Sequence, residues 1–136
     1  MLHEPIDFTI SLAPITKKNS QRLIQAKGRI IPIPSRQYTQ YERDAWNYMP
    51  MVKSPIDYPV NIKALYYMPT RRRVDLTNLH EALHDILVRY GILADDHCKI
   101  VVGTDGSRVL YDKAHPRTEV LIEALEEEPY QVKMEW

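Results

Sequence analysis

The sequence predicts a two-layer α+β fold, with a mixed β-sheet and two main helices in a single domain over residues 1–136. Three observations predict it. A length of 136 residues and a mass of 16.0 kDa suit one domain. Segments in which apolar and polar residues alternate are interleaved with segments whose apolar residues recur every three or four positions. The composition, 44% hydrophobic and 26% charged, belongs to a chain that buries a core and not to a disordered one.

Each element has its own signal. Ile6 to Leu12 alternates and is rich in strand formers, which predicts a first strand. A polar, basic loop follows from Thr16 to Arg22. Lys27-Gly28 suits a tight turn between two short strands, the second starting at Arg29-Ile30-Ile31 and closed off by Pro32 and Pro34. Ser35 is placed to cap a helix running to about Tyr48. Val60 to Met68 puts Val60, Ile62, Ala64, Tyr66 and Met68 on one face of a strand. Leu76, Leu79, Leu83, Ile86, Leu87 and Tyr90 form one apolar stripe of a helix that Gly91 ends. Lys99–Val102 and Thr118–Leu125 read as further strands, the end of the latter also compatible with helix. Prolines are absent between Pro69 and Pro116, so the most regular structure belongs there. The acidic run Glu126-Glu127-Glu128 before Pro129 reads as a solvated end of the fold.

The formal net charge of +0 hides a split. Up to Val74 there are 12 Lys/Arg and 5 Asp/Glu, or +7, and from Asp75 onward 6 and 13, or −7. The neutral total therefore does not exclude nucleic acid, which selects local basic surface. The single Cys98 excludes an internal disulfide and predicts a buried or inert thiol. The opening MLHEPIDFTISL carries acids early and lacks a long apolar core, which predicts no signal peptide. No stretch approaches the roughly 20 apolar residues of a membrane helix, so the expected location is cytoplasmic.

The charge reversal coincides with the strongest helix. Arg71-Arg72-Arg73 precede it, Asp75 stands at its mouth, Asn78, Glu81 and Asp85 share a flank, and Asp95-Asp96 follow its end. Clustered acids suit Mg²⁺, which takes oxygen ligands and commonly combines one or two carboxylates with substrate phosphate. Adjacent guanidinium groups suit phosphate oxygens. Together they point to metal-assisted phosphodiester cleavage. The same residues also have plain structural readings: Asp75 as an N-cap, Asp95-Asp96 as turn formers, Asp85 as an exposed helix acid and the arginines as a solvated edge.

The run from Arg71 through Asp75-Leu76-Thr77-Asn78-Leu79 and Asp85 to Gly91-Ile92-Leu93-Ala94-Asp95-Asp96 resembles the RusA family of Holliday-junction resolvases. That resemblance implies a homodimer that binds four-way DNA junctions in recombination and repair. It also implies paired, symmetric nicks with Mg²⁺, or Mn²⁺ in its place, that leave 5′-phosphate ends. Phages and prophages often carry the family. By position, Asp75, Asp95 and Asp96 match the family's metal-binding acids, with Asp75 and Asp96 catalytic, while Asn78 and Asp85 support them from behind. Two positions depart from the pattern. Thr77 stands where the family has a second Asp, and Glu81 where it has a helix Lys. Thr77 keeps an oxygen without the charge, and Glu81 restores a carboxylate six residues from Asp75. Lys99 is a candidate for the missing cation.

DNA would be held by backbone neutralisation: Arg71, Arg72 and Arg73 near the scissile phosphate, and Lys17, Lys18, Arg22, Lys27 and Arg29 as a second cluster. Tyr38 and Tyr41, near the start of the first helix, are of a type that stacks on unpaired bases, but packing in the core or in a dimer is the preferred reading. Two other functions stay open. His80-Glu81-Ala82-Leu83-His84 matches the H-E-x-x-H pattern of zinc metalloproteases, with His97 the nearest third ligand. Its plain reading is two histidines on the helix surface. The departures at Thr77 and Glu81 also fit a protein that binds junctions without cutting them.

Overall fold

In β4 (Val60–Met68) the alternation seen in sequence becomes geometry: Val60, Ile62, Ala64 and Tyr66 are buried while the residues between them are half-exposed. Antiparallel to β4 runs β7 (Arg117–Ala124), and antiparallel to β7 runs β1 (Ile6–Ile10). The registers build rows across the three strands on one face: Ile6, Ile122 and Ile62, then Phe8, Val120 and Ala64, then Ile10, Thr118 and Tyr66. Fully burying a large apolar side chain contributes roughly 1.5–3 kcal/mol, so a one-residue slip that turned these rows outward would undo the sheet.

The computed structural model describes residues 3–17 and 21–125. On the other edge of β4, two short strands pair in parallel with it, β5 (Val101–Gly103) at its start and β6 (Arg108–Tyr111) at its end. Between them the Ser107 hydroxyl accepts the Ala64 N–H at 3.0 Å, so the edge stays bonded where neither strand reaches. The sheet is thus mixed, in the order β1-β7-β4-β5 with β6 beside β4.

A parallel pair needs a crossover, and α2 (Leu76–Arg89) supplies it between β4 and β5. Its Leu79, Leu83, Ile86 and Leu87 join the sheet residues in one core cluster. The helix ends in a Schellman motif. Gly91, at φ +74°, donates to the Val88 carbonyl at 3.1 Å, and Ile92 donates to that of Leu87 at 2.9 Å. The first helix, α1 (Arg36–Ala45), starts as expected, with the Ser35 hydroxyl accepting the Tyr38 N–H at 3.0 Å. It passes into a 3-10 turn at Trp46–Tyr48, where the sequence predicts continued helix.

A separate hairpin, β2 (Gln21–Ala26) and β3 (Arg29–Pro34), completes the fold. Lys27 and Gly28 both have positive φ, 50° and 74°, as a two-residue type I′ turn requires. The expected strand end at the prolines is corrected: β3 runs through both. Counting from the bonded pair Ala26–Arg29, Pro32 opposite Leu23 and Pro34 opposite Gln21 fall at positions whose nitrogens face away from the partner. The missing N–H groups therefore cost the ladder nothing, and they blunt the hairpin's outer edge.

Other differences are small and have local causes. β1 stops at Ile10 and β5 starts at Val101, a residue or two inside the expected spans. β7 is strand throughout because its whole length pairs with β4. The expected acidic end, 126–128, lies outside the described residues.

Candidate functional site

The path from β4 to α2 carries the three arginines, and the structure gives them different surroundings. The Arg71 guanidinium lies 4.1 Å over the ring of Tyr111, which pairs with Met68 at the end of β4. Arg72 and Arg73 line a cleft of about 230 Å³ with Thr16, Gln37 and Thr70. All three arginines are exposed, so their charge reaches solvent and any polyanion in it.

Asp75 occupies the N-cap position of α2, and its carbonyl accepts the N–H groups of Asn78 and Leu79, each at 3.1 Å. Its carboxylate makes no capping hydrogen bond. Instead it accepts from the Asn78 side-chain amide at 3.3 Å. An Asp that caps through its side chain stabilises a helix by about 1 kcal/mol. Here that interaction is forgone, and the anion remains exposed beside the arginines and the positive end of the helix.

Along the helix, Thr77, Glu81 and Asp85 stand at i, i+4 and i+8, one stripe rising about 12 Å. Thr77 and Glu81 are exposed, and Asp85 is partly covered. Lys17 reaches across from the N-terminal loop to place its ammonium 3.7 Å from the Asp85 carboxylate. Even so, Asp85 holds its proton more tightly than an ordinary carboxylic acid. Burial is the main cause, the Lys17 charge opposes it, and the carboxylates of Asp96, Glu81 and Glu42 add repulsion. Asp96 and Glu81 are thereby in the electrostatic neighbourhood of Asp85. Asp95 has a turn-forming role: its carboxylate accepts the Asp96 N–H at 2.8 Å. Lys99 is exposed in the turn after the acidic pair.

The remaining basic residues are distributed on another element. Arg22 lies in β2, and Lys27 and Arg29 are exposed at the hairpin tip. Lys18 lies outside the described residues.

The H-E-x-x-H reading does not survive the geometry. His80 and His84 are buried, 8% and 9% exposed, contrary to the surface position expected of them. They face inward because the buried side of α2 is broader than the leucine stripe, extending over Leu79, His80, Leu83, His84 and Leu87. Their rings stack in parallel, 3° apart in plane with centroids at 5.5 Å, so their nitrogens do not converge as two zinc ligands must. His80 Nδ1 is 2.7 Å from the buried Tyr66 hydroxyl. His97 Nδ1 accepts the Lys99 N–H at 3.2 Å. Among the described residues no three His, Cys, Asp or Glu are gathered to hold a metal ion, as a catalytic zinc would need.

The expectation of a buried Cys98 is corrected: the thiol is exposed, in the polar turn after the helix. Tyr38 and Tyr41 are core residues, 1% and 8% exposed, which agrees with their core reading and leaves them unavailable to bases. The sequence reading missed Gln37, Thr70 and Tyr111. Only the pairing of β6 with β4 and the approach of α1 to the arginine run bring them in, and no local motif announces either.

Fold and site together define a small α+β protein that sets exposed arginines beside an exposed carboxylate at the start of one helix, an arrangement suited to phosphodiesters. Residues 12–123 match the family model described as endodeoxyribonuclease RusA, and the chain belongs to that family. It is also similar to the crossover junction endodeoxyribonuclease RusA of Aquifex aeolicus (strain VF5), 28% identical over 102 residues, which cover 74% of this chain and 79% of the relative. No helix among the described residues is long and apolar enough to cross a membrane.

Proposed function

We propose that this endodeoxyribonuclease resolves four-way DNA junctions in the cytoplasm, as a homodimer that makes paired symmetric nicks with Mg²⁺ or Mn²⁺ and leaves 5′-phosphates. The observation that supports it best is the Asp75 carboxylate, left out of helix capping and exposed two residues after a run of three arginines. A two-fold dimer suits a substrate that must be cut on two opposed strands. The donor chemistry fits a hard cation that keeps much of its water and takes only one or two carboxylates plus phosphate.

In this reading Asp75 and Asp96 hold the metal, and Asp95 orients Asp96 through its backbone N–H. When bound, the metal polarises a phosphoryl oxygen and lowers the pKa of water. Asn78 fixes the Asp75 carboxylate. Glu81 supplies the stripe with the carboxylate that Thr77 lacks, and Thr77 offers a hydroxyl. Arg72 and Arg73 grip the DNA backbone in the cleft, and Arg71 does so from its stack on Tyr111. Lys17, held at Asp85, takes the place of the cation that Glu81 displaces in the family pattern. Lys18, Arg22, Lys27, Arg29 and Lys99 add backbone contacts.

A synthetic four-way junction tests the proposal. The wild type with Mg²⁺ is expected to nick two opposed strands symmetrically, and Asp75→Asn to bind the junction without nicking it. A wild type that binds junctions but nicks none with either metal overturns the enzymatic reading and identifies a binding protein.

A further inference from the structure

The β2–β3 hairpin places large apolar side chains in solvent. Leu23 is 70% and Ile30 71% exposed. In the hairpin register Leu23 lies opposite Pro32, and Ile30 lies two residues before Pro32 on the same strand. All three therefore point to one face, Leu23 and Ile30 as diagonal neighbours. Pro32 is exposed as well. The opposite face carries Ile24 and Ile31, only 39% and 38% exposed, so the ridge of Leu23, Ile30 and Pro32 is the outward one. Exposed apolar ridges of this kind mark interaction sites.

Charge decides what the partner is. The hairpin, residues 21–34, contains three cations, Arg22, Lys27 and Arg29, and no Asp or Glu. Two copies of this surface brought together would set like charges against each other, which disfavours a second subunit as the occupant. A polyanion is attracted, and among polyanions one that also offers apolar surface is nucleic acid with unstacked bases. Side chains of Leu, Ile and Pro are the ones that enter between base steps as wedges. Strands of six residues give the hairpin a reach of about 20 Å, and its prolines protect its outer edge from strand pairing.

We propose that the hairpin reads DNA branch points by inserting the Leu23–Ile30–Pro32 ridge against unstacked bases while Lys27 and Arg29 hold the flanking phosphates. This rests on the junction reading above and supplies its basis for structure selectivity. Unpairing is cheapest at a branch, where stacking is already interrupted, so a wedge prefers junctions to duplex without reading sequence.

The test compares wild type with Leu23→Ser/Ile30→Ser and with the apolar control Leu23→Met/Ile30→Met. Both positions are exposed, so neither variant disturbs the core. The substrates are a four-way junction carrying 2-aminopurine next to the branch and a matched duplex. Wild type and the Met variant are expected to raise 2-aminopurine fluorescence on binding. The Ser variant should lose that rise and about tenfold of its preference for junction over duplex, with duplex affinity and salt dependence unchanged. A Ser variant that keeps both overturns the inference. So does one that sediments as monomer where wild type is a dimer, which would make the ridge a subunit contact. A wild type that nicks junctions without any fluorescence rise refutes the wedge alone. A wild type that neither binds nor nicks junctions refutes the junction reading itself.

Discussion

The buried histidine pair makes the fold sensitive to acid in a way that one substitution isolates. His84 is 9% exposed, and burial, with a smaller push from His80, pulls its pKa from the ordinary 6.5 down to about 4. The native state thus holds His84 neutral at pH values where the unfolded chain already binds a proton. For a group depressed in the folded state, the linked stability is fully present above 6.5 and is lost as pH falls toward 4. At 1.36 kcal/mol for each pH unit, that window removes about 3 kcal/mol. His80 is shifted in the same direction, also by burial, and adds to the loss.

His84→Leu removes the titration and places an apolar side chain where the imidazole Nε2 is buried without a partner. Urea denaturation at intervals from pH 7 to pH 4 reads the difference. The carboxylates that also titrate there are common to both proteins and cancel in the comparison. Wild type is expected to lose about 3 kcal/mol more than the variant over the window, on the order of 2 M in urea midpoint. Parallel stability curves for the two proteins from pH 6.5 to 4 would refute the burial account of His84.

Three further outcomes follow from the same geometry. Tyr66→Phe leaves His80 Nδ1 without its hydroxyl partner in the core and should cost about 1–3 kcal/mol by urea denaturation. Tyr66→Phe/His80→Leu, which removes both partners, should recover part of that. Arg72→Gln and Arg73→Gln should each flatten the log–log salt dependence of duplex binding by about one. Lys17→Met should slow junction nicking at saturating DNA with little change in stability, because its bridge to Asp85 is more than a third exposed. Lys99→Met should leave that nicking rate unchanged.

The sequence was most readable where a segment's own period decides its structure. β4 and α2 are fixed by apolar residues at spacings of two and of three to four, and both end within a residue of the expected position. The hairpin turn was readable because Lys27-Gly28 is followed by strand formers. β6 was not, since Arg108–Tyr111 is short, largely exposed and held by its pairing with β4. The fate of the histidines was equally hidden. Position alone puts His80 and His84 on a flank of α2; Tyr66 from β4 packs on His80, and His84 stacks on His80 in turn. In the candidate site, the arginines, Asp75 and the acidic pair stand out in the sequence by charge and spacing alone. The approach of Lys17 to Asp85 joins residues 68 positions apart and leaves no local signal.

Charge serves two different ends in this molecule, and the directions of the pKa shifts separate them. At the start of β7, Arg117 bonds Asp112 and Glu119, each at 2.9 Å, and lies 3.8 Å over the Tyr67 ring. There the carboxyl of Asp112 is pushed down, chiefly by its hydrogen bond from Arg117, and the arginine is pushed up by the same partners. Both members favour their charged forms, which is how ion pairs behave when they belong to the fold. Around Asp85 the balance runs the other way. Burial and the carboxylates of Asp96, Glu81 and Glu42 outweigh Lys17, and the acid is driven toward its neutral form. Like charges held this way oppose folding, so packing elsewhere must keep them in place. The leucine face of α2 and the Schellman turn at Gly91 do so, anchoring both ends of the segment that carries the acids. A cation arriving at this stripe relieves repulsion that the fold has already established. The neutral sum of the sequence thus covers two kinds of acid, those paired with Arg117 in the fold and those left crowded around Asp85.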